Sequence, residues 1–240
     1  MPAEALKNSK ELDPCAAPAA PAAGNDNPFS RLRFNLAGVL RLSERLVERA
    51  VSAYDNTFRL DHEDTADIYL RLATDEVKAG RAEQALAALQ RVISLQPGNA
   101  AAWYETGLLH LKLHAPAAAL EALERAQRAG LEGFEGFDIH FHLAEALGDL
   151  ERHEQAADEL VRALKHRPDS APATYRLGMA LDRLGRYEEA AVVFKKAIEC
   201  APREVNYHQS LGFTLECLGR RDEAIECFKK ALELQQRAER

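Results

Sequence analysis

From residue 66 onward the sequence repeats a pattern of about 34 residues five times, which limits this chain to a stack of similar units. The clearest copy runs from Ala171 to Pro202. Its apolar residues recur every three or four positions in two stretches that Gly185 separates. Each copy therefore predicts two antiparallel helices. A hairpin of this size cannot bury its apolar faces alone, so the copies are expected to pack on one another.

Three positions keep the copies in phase. A small residue recurs in the first helix, at Ala73, Gly107, Ala144, Gly178 and Gly212. A second small residue recurs in the second helix, at Ala85, Ala119, Ala156, Ala190 and Ala224. A large apolar residue follows four positions later, at Leu89, Leu123, Leu160, Phe194 and Phe228. Small residues let two helices approach closely, and the large residue fills the space between neighbouring hairpins.

Three strings carry a resemblance to a known repeat: WYETG (103–107), LGRYEEA (184–190) and LGRRDEA (218–224). They resemble the tetratricopeptide repeat, a family built on this alternation of small and large residues. The resemblance covers residues 66–240 and implies an all-α fold, an α-solenoid of five tetratricopeptide-type helical hairpins. The predicted starts of the hairpins lie near residues 66, 100, 137, 171 and 205.

The interval between the second and third copies is longer than the others by three residues, around 130–137. The glycines of this stretch allow turn conformations that other residues resist. We therefore predict a bend of the stack at 130–137.

The sequence before the repeats divides into two parts. Residues 1–30 are rich in alanine and proline, which predicts a disordered tail. Residues 31–64 predict an amphipathic helix that either caps the first hairpin or docks on a partner or a second copy. Its basic start also permits contact with a membrane surface. The residues expected to mediate self-association are Arg33, Leu36, Leu40, Arg41, Arg45, Val47 and Val51.

In stacked hairpins the first helices line the concave side, and the repeat phase indicates which of their side chains are exposed in that groove. The predicted peptide-binding residues are Asp67, Leu70, Thr74, Tyr104, Leu108, Leu111, Asp138, Phe141, Glu145, Tyr175, Met179, Asp182, Gln209, Phe213 and Glu216. They combine aromatic and aliphatic side chains with carboxylates and include no lysine or arginine. This composition predicts a protein ligand, an amphipathic helix or extended peptide with apolar anchors and basic residues.

Nothing in the sequence predicts an enzyme. It contains no nucleophile motif, no phosphate-binding glycine loop and no zinc-protease motif. His110 and His114 are one helical turn apart but lack a third metal ligand at suitable spacing. We therefore expect no cofactor, no metal and no small-molecule substrate. The net charge of −7 argues against nucleic-acid binding, and no apolar run approaches the length needed to span a bilayer.

The layout of an amphipathic helix followed by five repeats also resembles a magnetosome-associated family of tetratricopeptide repeat scaffolds. Two strings are similar as well: EVKAGRAEQAL (76–86) and YRLGMALDRLGRYEEA (175–190). This resemblance implies a cytoplasmic, homo-oligomeric scaffold, peripheral on the magnetosome membrane. In it, the N-terminal helix of one copy would occupy the groove of the next. The alternative is a bacterial adaptor of a secretion or enzyme complex that stays monomeric until it binds its client.

Overall fold

The computed structural model describes residue 49 and residues 62–130 and 136–238, and these last two ranges are helical with short turns. The tail at 1–30 and nearly all of the predicted helix at 31–64 lie outside the described residues. Within the described ranges the helices are α1 (His62–Lys78), α2 (Ala82–Leu95), α3 (Ala100–Lys112), α4 (Pro116–Ala129), α5 (Gly136–Asp149), α6 (His153–His166), α7 (Ala171–Arg183), α8 (Tyr187–Cys200), α9 (Val205–Cys217) and α10 (Arg221–Ala238). The predicted all-α class is confirmed.

The helices form five hairpins, each made of an odd-numbered A helix and the even-numbered B helix that follows it. Every A helix packs against its own B helix, and every B helix from α2 to α8 packs against the next A helix. The A helices α3 and α5 also contact each other, as do α7 and α9. This nearest-neighbour order is the predicted α-solenoid. The first A helix begins at His62, four residues before the predicted start of the first repeat.

Polar side chains cap the starts of two A helices, α3 and α7. Asn99 accepts a hydrogen bond from the backbone N–H of Ala102 at 2.9 Å, which satisfies a free donor at the start of α3. Ser170 does the same for the N–H of Ala173 at 3.4 Å, at the start of α7. The indole N–H of Trp103 donates to the carbonyl oxygen of Pro97 at 2.9 Å, which joins α3 to the end of the preceding repeat.

The turn inside each hairpin has the same backbone conformation in all five repeats. The residue at position 15, counted from the predicted start of each repeat, has a positive φ: Gly80 (75°), His114 (54°), Glu151 (59°), Gly185 (74°) and Gly219 (73°). Side chains with a Cβ rarely adopt this conformation, so glycine is the expected residue. His114 therefore lies in the tight turn of the second hairpin.

The core of each hairpin depends on the small residue of the A helix and the large residue of the B helix. Phe194 is fully buried, and a Cβ placed on Gly178 would lie 2.6 Å from its ring. A Cβ on Gly212 would lie 2.5 Å from the ring of Phe228. The third repeat instead pairs Ala144 with a leucine, a smaller partner. The small residues are therefore required because the ring occupies the space that a side chain would take.

The three-residue insertion lies largely in residues 131–135, which are outside the described residues. One cluster of buried side chains nevertheless extends from Tyr104 to Ala173, across repeats two, three and the start of four. The core is therefore continuous on the two sides of the insertion, and the bend at 130–137 stays a prediction.

Candidate functional site

The predicted groove residues all lie on A helices, and we call the surface that they form the A-helix face. At its first repeat, Asp67 and Thr74 are exposed and Leu70 is half-buried. The hydroxyl of Thr74 donates to the carbonyl oxygen of Leu70 at 2.9 Å. Leu108 and Leu111 of α3 are half-buried against the core. The first two repeats therefore combine half-buried leucines with the exposed Asp67 and Thr74.

The predicted aromatic anchors differ in exposure. Tyr104 is buried, at 5% exposure, which corrects its expected role as an exposed anchor. Phe141 is half-buried, with its ring 5.5 Å from that of Phe137. Tyr175 is half-buried and stacks on Tyr207 at 4.4 Å, whereas Phe213 is 60% exposed. The rings in the middle of the face thus pack between repeats, and an open ring is found at its C-terminal end.

Burial changes the titration of Tyr104. Loss of water contact, followed by the negative charges of Asp138 and Glu105, raises the pKa of the Tyr104 hydroxyl to about 12. The hydroxyl therefore stays protonated at neutral pH.

A residue at position six of the A helix joins repeats three, four and five each to the repeat before it. The ring of His142 lies 5.9 Å from Tyr104, edge to face. The guanidinium of Arg176 lies 5.2 Å from the Phe141 ring, and the hydroxyl oxygen of Ser210 lies 3.0 Å from that of Tyr175. Position six of one repeat therefore contacts position five of the repeat before it, three times in succession.

Hydrogen bonds and ion pairs within the fold occupy several of the predicted acidic groups. Arg176 donates to Glu145 at 2.6 Å, and the hydroxyl of Thr214 donates to Asp182 at 2.8 Å. Asp138 lies 3.5 Å from Arg167, which follows α6. Three predicted groove carboxylates are therefore already bound within the fold, and less negative charge remains for a ligand than the sequence indicates.

Glu145 is the centre of one of these contacts. The hydrogen bond from His142 at 3.2 Å is the largest cause that lowers the pKa of the Glu145 carboxyl, and the charge of Arg176 adds to it. A lowered pKa in the folded state stabilises the fold above the ordinary carboxyl pKa of about 4.3. That stabilisation is lost as the pH falls through the lower, folded-state pKa.

Replacing Glu145 with glutamine is therefore expected to lower the free energy of unfolding by about 1 kcal/mol at neutral pH, because this half-buried contact is partly screened by water. The difference from the wild type should shrink as the pH falls below about 4. Urea unfolding of both proteins across that range measures it. Two stability curves that stay parallel at every pH would contradict this assignment.

At the C-terminal end of the face, Gln209 is half-buried while Phe213 and Glu216 are exposed. Met179 of the preceding repeat is half-buried, and its sulfur accepts from the hydroxyl of Ser210 at 3.7 Å. Asp67 and Glu216, at opposite ends of the face, form no ion pair with any described residue. The most accessible carboxylates of the A-helix face therefore lie at its two ends.

The sequence prediction missed the residues at position six, although a signal for them exists. His142, Arg176 and Ser210 recur at intervals of 34 residues, and all three are polar. A polar residue that keeps the period of the repeat indicates a contact between repeats, whereas an exposed surface has no such requirement.

The described residues contain no group of three or more potential metal ligands. His140 instead bonds Glu159 at 2.6 Å, on the B helix of its own repeat. None of the described helices is both long and apolar enough to span a bilayer. The predicted self-association residues, from Arg33 to Val51, lie outside the described residues.

The chain matches known families of repeat proteins. Family models described as tetratricopeptide repeat match residues 70–130, 141–205 and 205–238. A search of curated proteins finds no match.

Solved structures give the same architecture. A crystal structure of MamA protein is 27% identical, with a TM-score of 0.68, and the match covers 72% of this chain and 93% of that one. MamA MSR-1 is 28% identical, with a TM-score of 0.65 and coverage of 72% and 98%. YrrB, described as a TPR protein with an unusual peptide-binding site, is 25% identical, with a TM-score of 0.67 and coverage of 78% and 92%.

Proposed function

Because this chain belongs to the tetratricopeptide repeat family, we propose that it is a non-catalytic scaffold that binds proteins along its A-helix face and self-assembles. The observation that carries the proposal is the order of the five hairpins, in which each B helix from α2 to α8 packs against the next A helix, and the A helices α3 and α5, and α7 and α9, contact each other. The A-helix face is extended and has several separate anchor points, which suits a helix or an extended peptide better than a small molecule.

The chemistry of the face supports a ligand with both apolar and basic groups. The half-buried Leu70, Leu108 and Leu111 offer apolar contacts in the first two repeats. The exposed Asp67, one helical turn before Leu70, offers a carboxylate that forms no ion pair with a described residue. A ligand side chain of opposite charge gains orientation there, while the apolar contacts supply most of the affinity.

Self-assembly is the second part of the proposal. The N-terminal segment is expected to be amphipathic, and the chain matches MamA structures over more than nine-tenths of their length. On this basis the scaffold is cytoplasmic and homo-oligomeric, with a peripheral position on the magnetosome membrane reached through a receptor protein. The competing candidate is an adaptor that remains monomeric until it binds a client. The similarity to a peptide-binding protein, YrrB, is compatible with both.

Deletion of residues 1–60 tests the proposal. We expect the full chain to form assemblies that grow with concentration, and the deletion variant to elute as a monomer, because the self-association residues are removed. Size-exclusion chromatography with light scattering at several concentrations makes the measurement. Deletion of residues 1–30 is the control, since it removes the predicted tail and leaves the amphipathic segment in place.

Assemblies of the same size in all three proteins would contradict the role of the N-terminal segment. A full chain that is monomeric at every concentration would contradict self-assembly and favour the adaptor.

A further inference from the structure

Glu105 is a half-buried carboxylate at position six of the second repeat, on helix α3. It follows Ala101 by four residues and precedes Leu108 by three, and both of these side chains are half-buried as well. Residues with these separations lie on one face of a helix. Glu105 therefore belongs to the A-helix face, although it is not among the predicted groove residues.

Position six has a partner in the previous repeat at the three later steps of the stack. Arg176 contacts Phe141, for example, and Ser210 contacts Tyr175. Glu105 differs from these residues, because it forms no hydrogen bond and no ion pair with any described residue. Its carboxylate therefore remains available to a group from outside the described fold.

The repeat register places Leu70 and Thr74 opposite Glu105. Arg176 contacts positions five and nine of the third repeat, and Ser210 contacts the same two positions of the fourth. In the first repeat these positions are Leu70 and Thr74. The hydroxyl of Thr74 already donates to the carbonyl oxygen of Leu70 at 2.9 Å, so its proton does not serve the carboxylate. Thr74 is exposed, which leaves this side of Glu105 open to a ligand.

The surroundings of Glu105 are unfavourable for an unpaired charge. Burial raises the pKa of its carboxyl group, and the charge of Lys112 lowers that pKa by a smaller amount. Lys112 is exposed and lies seven residues further along the same helix, about two turns away. A cation that a ligand brings close to Glu105 would favour the charged carboxylate. Such a contact is stronger than one with a fully exposed carboxylate such as that of Asp67.

We propose that Glu105 binds the ammonium group of a lysine side chain from the protein ligand and so selects ligands that carry a lysine at this point. The proposal rests on the proposed binding of proteins along the A-helix face and names a residue that determines its specificity. Leu70 and Leu108 would contact the methylene groups of the lysine side chain while its ammonium group reaches the carboxylate. An arginine fits this place less well, because its five N–H donors need more acceptors than one carboxylate provides.

Stability separates a binding role of Glu105 from a structural one. Glu105→Gln should leave the free energy of unfolding at neutral pH unchanged or raise it, because the substitution removes a partly buried charge without a partner. Urea unfolding of the variant and the wild type measures this. A clear loss of stability in Glu105→Gln would show that the carboxylate supports the fold, and it would overturn the proposal.

A peptide selected by the full-length chain provides the probe for binding. Random peptides displayed on phage are selected on the immobilised wild type, and the best binder is synthesised with a fluorescent label. It should contain a lysine flanked by apolar residues. Glu105→Gln should weaken its binding about 10-fold or more, because a hydrogen bond between charged groups is lost. Glu83→Gln is the matched control, since it removes the same charge from an exposed position on the B helix α2. Fluorescence anisotropy measures both affinities.

A second peptide tests whether the lysine contacts Glu105. Norleucine in place of that lysine keeps the aliphatic chain and removes the charge. The wild type should bind the norleucine peptide about 10-fold more weakly than the lysine peptide. Glu105→Gln should bind the two peptides almost equally, because its contact with the ammonium group is already lost. Equal losses in the two proteins would show that the lysine binds elsewhere, and they would overturn the proposal.

A variant at the edge of the same surface separates this inference from the proposed function. Asp67→Arg reverses a charge on the A-helix face, and Glu83→Arg makes the same change on α2. If Asp67→Arg weakens binding of the peptide and Glu105→Gln does not, the A-helix face binds the ligand and the role of Glu105 is wrong. If neither weakens it, or if the wild type selects no peptide, both the A-helix face as binding surface and the role of Glu105 are wrong.

Discussion

Replacement of Phe194 by alanine is expected to lower the free energy of unfolding by about 3–5 kcal/mol, the largest effect of any single change considered for this chain. The ring is fully buried and fills the space between α7 and α8. Its centroid lies 5.6 Å from that of Tyr175, which itself joins repeats four and five. Phe194 shares a buried cluster with Leu211 and Leu215 of α9, so the cavity lies where three helices meet and the loss should extend to the neighbouring repeat.

Urea denaturation followed by circular dichroism measures this effect. Val192→Ala is the control in the same helix, because Val192 is exposed and its loss should change the unfolding free energy by less than about 0.5 kcal/mol. A loss below 1 kcal/mol for Phe194→Ala would mean that the ring is not a core residue.

The second large effect is expected at Gly178. A Cβ there would lie 2.6 Å from the Phe194 ring, and the buried ring has no room to move away. Overpacking of this kind costs about 1–3 kcal/mol, although alanine favours helix over glycine by about 1 kcal/mol. We therefore expect Gly178→Ala to destabilise the protein by up to about 2 kcal/mol when Phe194 is present.

The third repeat supplies the compensating change. It pairs Ala144 with Leu160, so the double variant Gly178→Ala with Phe194→Leu recreates a pair that the chain already uses. In the Phe194→Leu background, Gly178→Ala should be neutral or stabilising, which gives a coupling free energy of about 2 kcal/mol in a double-mutant cycle. If the changes in unfolding free energy of the two single variants simply add in the double variant, the Phe194 ring and Gly178 are not in contact.

The pairs of small and large residues inside the hairpins also explain how much of the fold the sequence predicts. The small and large residues recur in phase because each hairpin must pack against a nearly identical neighbour, so the period directly encodes the stack. The beginning of α1 at His62 has no such constraint, because no periodic residue marks it. Residues 131–135 interrupt the period, and the geometry around them therefore does not follow from the pattern.

The binding face is predicted less completely, for a physical reason. The repeat phase indicates which way a side chain points from its own helix, but exposure also depends on the following helix. Tyr104 points to the predicted side and is nevertheless buried, while His142 of the next A helix lies against its ring. Glu145 is likewise neutralised by Arg176, 31 residues later. The sequence of one repeat does not show which of its side chains the next repeat will cover or pair. An alignment of successive repeats does show it.

The turn at position 15 has a consequence for recognising related chains. Its left-handed backbone is kept in all five hairpins, yet His114 and Glu151 occupy it in the second and third. A search that requires glycine at this turn would find three hairpins and overlook the two beside the insertion. The backbone of the turn therefore identifies these two hairpins more reliably than the residue found in it.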